Sequence, residues 1–341
     1  MSFLNSTVKI RRGTNVVVTG ASGGVGRAVA RMLGQRGANV VLIARGREGL
    51  EAAKREVEEL GGSALVLPMD VSDPAAVEAA AAQAEQSFGP MDLWVNNAMV
   101  SMYSPFMKME PNEFKHIIDV TLMGYVYGVQ SALKRMIPRD RGVIVNVGSA
   151  LAFRSIPLQS AYCAAKHGIQ GFVESVRSEL MHNGSHIRVC AVNLPAMNTT
   201  QFKWTKNKMP NKPRPCGTIY QPEVAADAVL FAAENDRREI MVGYPTVEST
   251  VAEKFIPGFL DHYLSHAAWE GAFIDEPADP NHRDNFWAPV AHDEGSHGPF
   301  DELSHSTSPQ MWLNKNRGKV IGGLLAAGIG AALFAASERR H

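Results

Sequence analysis

Three side chains between positions 149 and 166 have the types and spacing for proton transfer at a carbonyl or alcohol oxygen. Tyr162 and Lys166 are four residues apart. On a helix that separation puts both on one face, a turn apart. A free phenol ionises near pH 10, too high for exchange near neutrality, and a neighbouring cation lowers that value by favouring the phenolate. A tyrosine so activated is a general acid toward a carbonyl and a general base toward an alcohol. Ser149 ends the run GVIVNVGS, thirteen positions before Tyr162. Its hydroxyl can hydrogen-bond an oxygen on which charge develops. Singly, each is ordinary: a serine after a strand is usually a cap, and a Tyr/Lys pair is usually surface decoration. Their weight comes from the company they keep.

Positioning these groups requires a helix through 162–166 and a strand ending near 149. The segment SAYCAAKHGIQGFVESVRSEL has helical periodicity, with Ile169, Phe172, Val173 and Val176 on one stripe. Short apolar runs at 15–19, 39–44, 64–67, 93–96, 143–147, 187–192 and 239–242 read as buried parallel strands. Ala/Glu-rich helices are expected at 47–60 and 74–88, and Pro74 after Asp73 suits a first helical turn. The expected fold is α/β, a Rossmann-type doubly wound parallel sheet of about seven strands. Ligands in such sheets sit beyond the carboxyl ends of the strands, at the topological switch point.

The first strand is followed by Thr19-Gly20-Ala21-Ser22-Gly23-Gly24-Val25-Gly26, which opens a helix. Glycines there permit positive φ and close approach of a pyrophosphate, and the helix N-terminus offers free N–H groups to the anion. An NAD site usually ends the second strand with a carboxylate on the ribose hydroxyls. Here the strand ends Ile43-Ala44-Arg45-Gly46-Arg47. The planar guanidinium of Arg45 suits a 2′-phosphate, so the expected cofactor is NADP (NADPH).

Together with Asp70-Val71, Asn96-Asn97-Ala98 and Tyr162-Cys163-Ala164-Ala165-Lys166, this ordered set resembles the short-chain dehydrogenase/reductase family over roughly residues 12–245. The resemblance implies a seven-stranded Rossmann sheet, a Tyr–Lys–Ser centre, a small-molecule alcohol or carbonyl substrate and a homo-oligomer paired through helices. It implies cofactor contacts at Gly20, Ser22, Gly23, Gly24, Val25 and Gly26. It places Asp70 on the adenine amino group, Val71 on the base through its backbone, and Asn97 and Ala98 along the adenine ribose. Tyr162 and Lys166 would meet the nicotinamide ribose, Pro195 the ring, and Thr199 the carboxamide or a phosphate. Three positions depart from the family pattern. Met99 replaces glycine and needs a negative φ. Ala196 replaces the glycine after Pro195. Thr121 replaces an asparagine that helps hold a water leading from the lysine; a threonine hydroxyl can also hold one, so Thr121 joins the catalytic set with an altered relay. These departures leave open an alternative, an NADP(H)-binding sensor or scaffold with weak or no catalysis.

The loop after Thr200 is basic and proline-rich. Phe202, Trp204 and Met209, with Phe153, Pro157 and Leu158, are expected around an apolar substrate. Residues 1–250 read as the catalytic domain and 251–318 as an extension, irregular over roughly 275–312. Its Phe286, Trp287, Phe300 and Trp312 favour docking. Its histidines 282, 292, 297 and 305 have no compact metal-ligand spacing, so no metal is expected. The 34 basic residues balance the 34 acidic ones, which argues against a nucleic-acid partner. Three cysteines give no disulfide framework. No apolar stretch long enough for a signal peptide precedes the first strand, so a cytoplasmic catalytic domain is expected. Residues 319–337 read as an apolar helix, a candidate membrane anchor or, with Gly318, Gly322, Ala326 and Gly330 in a small-residue stripe, a packing helix.

Overall fold

The apolar runs pair into a single parallel sheet in a computed structural model that describes residues 7–279, 281–320 and 322–323. Its strands are β1 (Asn15–Thr19), β2 (Asn39–Ala44), β3 (Ser63–Pro68), β4 (Leu93–Asn96), β5 (Val143–Ser149), β6 (Arg188–Leu194) and β7 (Glu239–Met241). They lie in the order β7-β6-β5-β4-β1-β2-β3. The chain runs outward from β1 through β2 to β3, then returns to place β4 on the other side of β1. The direction of winding therefore reverses between β1 and β4, and the crevice of a doubly wound sheet opens beyond Thr19 and Asn96.

Helices cover both faces, so β1, β2, β4, β5 and β6 are buried nearly throughout. This is why their sequences are continuous apolar runs rather than alternating ones. Alternation survives in where each side chain goes. Val16, Val18, Val40 and Leu42 join one core cluster, while Val17, Val41 and Ile43 join the other across the sheet. Helices α1 (Gly24–Gln35) and α2 (Arg47–Glu59) follow β1 and β2, and α3 (Pro74–Phe88) follows β3. Asp73 caps α3 by accepting from the N–H groups of Ala75 and Ala76. After β4 come α4 (Pro111–Ile118) and α5 (Gly124–Met136), joined by a π-turn at Asp119–Met123. Strand β5 runs two residues past its apolar stretch, so Ser149 is its last residue. It leads to α6 (Ser160–His182).

Beyond α7 (Pro222–Glu234) and β7 the strand–helix alternation ends. Two helices follow, α8 (Tyr244–Phe255) and α9 (Pro257–Gly271), and then an irregular arm. Strand Phe273–Pro277 pairs antiparallel with Asn211–Pro213. Ser304–His305 joins Ile219–Tyr220, which in turn joins Ala196–Met197. The arm therefore docks along the carboxyl edge of the sheet. Phe286 and Phe300 are buried, whereas Trp287 and Trp312 stay half exposed. The expected apolar helix 319–337 lies almost wholly outside the described residues. Among those residues, no helix is long and apolar enough to cross a membrane.

Candidate active site

The turn after β1 is laced to the turn after β4. Gly20 adopts φ +68°, a value that favours glycine. A Cβ on Gly26 would lie 2.2 Å from the Gly20 carbonyl oxygen, so α1 begins hard against the turn only because position 26 has no side chain. Thr19 Oγ1 accepts from the backbone N–H of Asn97 at 2.9 Å and of Ala98 at 3.1 Å. Asn97 Nδ2 donates to the carbonyls of Thr19 at 3.0 Å and Gly20 at 3.3 Å. Asn97 thus clamps the glycine turn. The positive-φ non-glycine residues among those described are Asp140 and Leu158, so Met99 meets the backbone condition its bulk requires.

Gly20, Ser22, Arg45, Asp70, Val71 and Ala98 line a common cleft over the switch point. Asp70 is turned by accepting from the N–H and hydroxyl of Ser72. Thr199 and Thr200 close over the glycine loop: Cβ atoms on Gly23 and Gly24 would lie 3.0 Å from Thr200 Oγ1 and 3.1 Å from Thr199 Cβ. Val25 is buried in the first turn of α1, and Pro195 packs beside Gly243. Arg45 carries the least expected contacts. Its guanidinium donates to the carbonyls of Phe286 at 3.1 Å, Trp287 at 3.2 Å and Asn285. Burial lowers its pKa, and Asp70 opposes that.

Strand β5 and helix α6 bring Ser149, Tyr162 and Lys166 together, and none of the three lines that cleft. The Ser149 hydroxyl lies near enough to the Tyr162 phenol to favour its ionised form, and it accepts from the Leu151 N–H at 3.1 Å. Lys166 is buried, its Nζ 5.5 Å from the Tyr162 ring centroid. That Nζ donates to the Val147 carbonyl at 2.8 Å and to the Tyr125 hydroxyl at 3.3 Å. Burial pulls the lysine down to about 7. Burial also pushes the Tyr162 phenol well above its usual value, with the Ser149 hydroxyl opposing. Desolvation therefore outweighs the cationic lowering expected from the spacing alone. Near neutrality Tyr162 keeps its proton, the form that serves as a general acid.

Thr121 is fully buried. Its hydroxyl donates to the Val100 carbonyl at 3.0 Å and accepts from the Val100 N–H at 3.1 Å. It ties the π-turn to the segment after β4, and the side chain that reaches Lys166 from this helix is Tyr125. Sequence reasoning missed Tyr125. The available signal was its place one turn beyond Thr121, which gains meaning only once α5 packs beside α6.

Above the centre, Leu158 holds a positive φ of 70°, a conformation costly for a branched side chain. It packs with Tyr103, Ala272, Phe202, Met209 and Phe273 in an apolar cluster. Phe202 and Met209 thus take the expected side of the loop. Trp204 does not: its Cη2 would lie 3.3 Å from a Cβ on Gly23, and it lines the cleft over the switch point.

These features agree with the relationships of the chain. A sequence model of the family described as "short chain dehydrogenase" matches residues 14–211. A Bacillus subtilis (strain 168) protein named "Uncharacterized oxidoreductase YxnA" is 32% identical over 267 residues, covering 78% of this chain and 75% of that one. Dehydrogenase/reductase SDR family member 7 of Mus musculus is 39% identical over 169 residues, covering 48% of this chain and 50% of that one. A crystal structure of a metagenomic short-chain oxidoreductase (SDR) in complex with NADP matches with a TM-score of 0.59 and 31% identity, over 69% of this chain and 98% of that chain. The chain belongs to the short-chain dehydrogenase/reductase family, whose oxidoreductases use NAD or NADP on small molecules.

Proposed function

We propose that the chain interconverts an apolar alcohol and its ketone or aldehyde with NADP(H), and that Tyr162 is its proton donor and acceptor. The observation that carries this reading is the convergence of Ser149, Tyr162 and Lys166 beside an apolar cluster. The residues fit a dinucleotide: the glycine turn, with Gly20 at positive φ and Gly26 packed under it, sets the start of α1 beside the cleft, and β2 ends without a carboxylate and with Arg45. Gly20, Ser22, Gly23, Gly24, Val25 and Gly26 would hold the pyrophosphate, Arg45 the 2′-phosphate, and Asp70, Val71, Asn97 and Ala98 the adenosine. Pro195 would face the nicotinamide ring, and Thr199, packed against Gly24, the carboxamide or a phosphate. Bound NADP(H) supplies or accepts the hydride.

The protein's own part is proton handling. In reduction, Tyr162 gives its phenolic proton to the carbonyl oxygen while Ser149 hydrogen-bonds that oxygen. Lys166 then stabilises the phenolate as an ammonium, and Tyr125 and the Val147 carbonyl hold its Nζ in place. In oxidation the same groups act in reverse. Leu158, Phe202 and Met209 would take the apolar part of the substrate. The membrane association and homo-oligomer expected from the sequence are part of this reading, as is an extension beginning near residue 251.

Fluorescence titration with NADPH and NADH tests the cofactor, and an apolar carbonyl panel tests turnover. Tyr162→Phe should keep NADPH affinity and lower kcat by about 10²–10⁴-fold. Tight NADPH binding with no turnover on the panel, and indifference to Tyr162→Phe, would favour the sensor alternative.

A further inference from the structure

The arm after α9 lies outside the residues matched by the family model, yet it reaches both anion-binding ends of the nucleotide cleft. The carbonyls of Asn285, Phe286 and Trp287 take three hydrogen bonds from Arg45. Ten residues on, the Gly295 carbonyl accepts from the N–H of Gly24, at the start of α1, at 3.3 Å. Between these points Asp293 pairs with the buried Arg27 at 3.1 Å, and Glu294 pairs with Lys203 at 2.8 Å. Asn285, Pro289, Val290, His292 and Glu294 form the outer wall of the cleft. The cavity left beneath them is about 110 Å³. That is less than the roughly 150 Å³ of a closed cavity that takes up a benzene molecule.

We infer that residues 284–296 form a strap that gates the cofactor cleft, its backbone carbonyls occupying the donors that the phosphates of a dinucleotide require. The inference rests on the NADP(H) reading above. At the Gly24 N–H a phosphate oxygen makes a charge-assisted bond roughly twice as strong as a neutral carbonyl does, and at Arg45 it adds an opposite charge that a carbonyl lacks. The exchange of one for the other is therefore favourable once the strap has opened, and the apparent affinity falls by the fraction of molecules that are open. The strap also has a buried anchor in Phe286. Phe286 is fully buried, its carbonyl accepts from His116 Nε2 at 2.8 Å, and its ring sits 5.0 Å from the His116 ring.

A reversible lock tests the gate. A Cβ built on Gly46 lies 3.3 Å from Pro289 Cβ, close to the Cβ separation of a disulfide, and Gly46 has φ −83°, which any residue adopts. The full chain carrying Gly46→Cys and Pro289→Cys, oxidised with glutathione disulfide and checked by mass for the cross-link, should lose NADPH binding by about tenfold or more. Reduction with dithiothreitol should restore it. Equal binding in both redox states overturns the gate. A variant that binds in neither state, while the unaltered chain binds, refers the decision to Phe286→Ala. There stopped-flow NADPH association should be about tenfold faster or more, and an unchanged rate overturns the gate. If the unaltered chain binds neither NADPH nor NADH, the cofactor reading fails and the gate falls with it.

Discussion

The sheet and the arm are both ordered along the same cleft, but they are held by different physics. In the sheet, side chains do the holding. Valines and isoleucines on alternate faces bury into two cores, and polar groups trapped between them bond one another, as where Trp94 Nε1 donates to Asn96 Oδ1 and Asn96 Nδ2 to Asn146 Oδ1. In the arm, backbone carbonyls and ion pairs at the rim do most of the work, aided by the buried rings of Phe286 and Phe300. A side-chain core unfolds as a unit, whereas a strap on few anchors can open alone. The proposed reaction would thus belong to the sheet and the proposed control of access to the arm.

The sharpest way to break this comparison is to remove the arm's anchor. Phe286→Ala deletes a fully buried ring, a loss of about 3–5 kcal/mol for a phenylalanine in a packed site. If the arm opens independently, hydrogen exchange at 284–296 should rise while the amides of β1, β4 and β5 keep their protection. A matching fall in sheet protection would mean that arm and sheet are one cooperative unit. The complementary change lies in the sheet. Asn96→Ala leaves the Trp94 indole N–H and the Asn146 amide without their buried partner, at about 1–3 kcal/mol per group. The denaturant midpoint of the whole chain should fall, because these groups lie in the shared core.

The same contrast governs what was legible in the sequence. Strands β1, β2 and β4 and helix α3 stand where the patterns place them, since two-sided burial writes itself as unbroken apolar runs and Asp73-Pro74 marks a helix start. The spacing of Ser149, Tyr162 and Lys166 was legible because each sits at a fixed place on a strand end or a single helix. Helices α8 and α9 were not, because they bury no clear stripe: Phe255 is 79% exposed and Phe259 62%. The partners of Arg45 were invisible for a different reason. A carbonyl acceptor belongs to every residue, so nothing in Asn285, Phe286 or Trp287 announces that their backbones would meet a guanidinium. Tyr125 falls between these cases, a residue of telling type whose partner lies on another helix.

The smallest effect separates the two regions by its sign. His297, in the arm, bonds Glu223 through Nε2 and Asp301 through Nδ1, each at 2.9 Å. Burial works against its charge, but the two carboxylates outweigh it, and its pKa is raised. The folded state therefore binds this proton more tightly than the unfolded one. The stabilisation is complete below about pH 6.5, the unfolded value, and is lost as pH rises through the folded value. The ring is 40% exposed, so solvent screening keeps the effect below about 1 kcal/mol. Lys166, in the rigid part, runs the other way. Burial lowers it to about 7, against about 10.4 when unfolded, so its contribution to stability grows as pH rises between those values. Between pH 6 and 8, exchange at 284–305, corrected for the intrinsic rate, should increase relative to exchange at β5. His297→Gln should remove that increase and leave β5 unchanged. An arm that tightened with rising pH would show that its rim ion pairs do not hold it, and would leave the buried rings as its attachment.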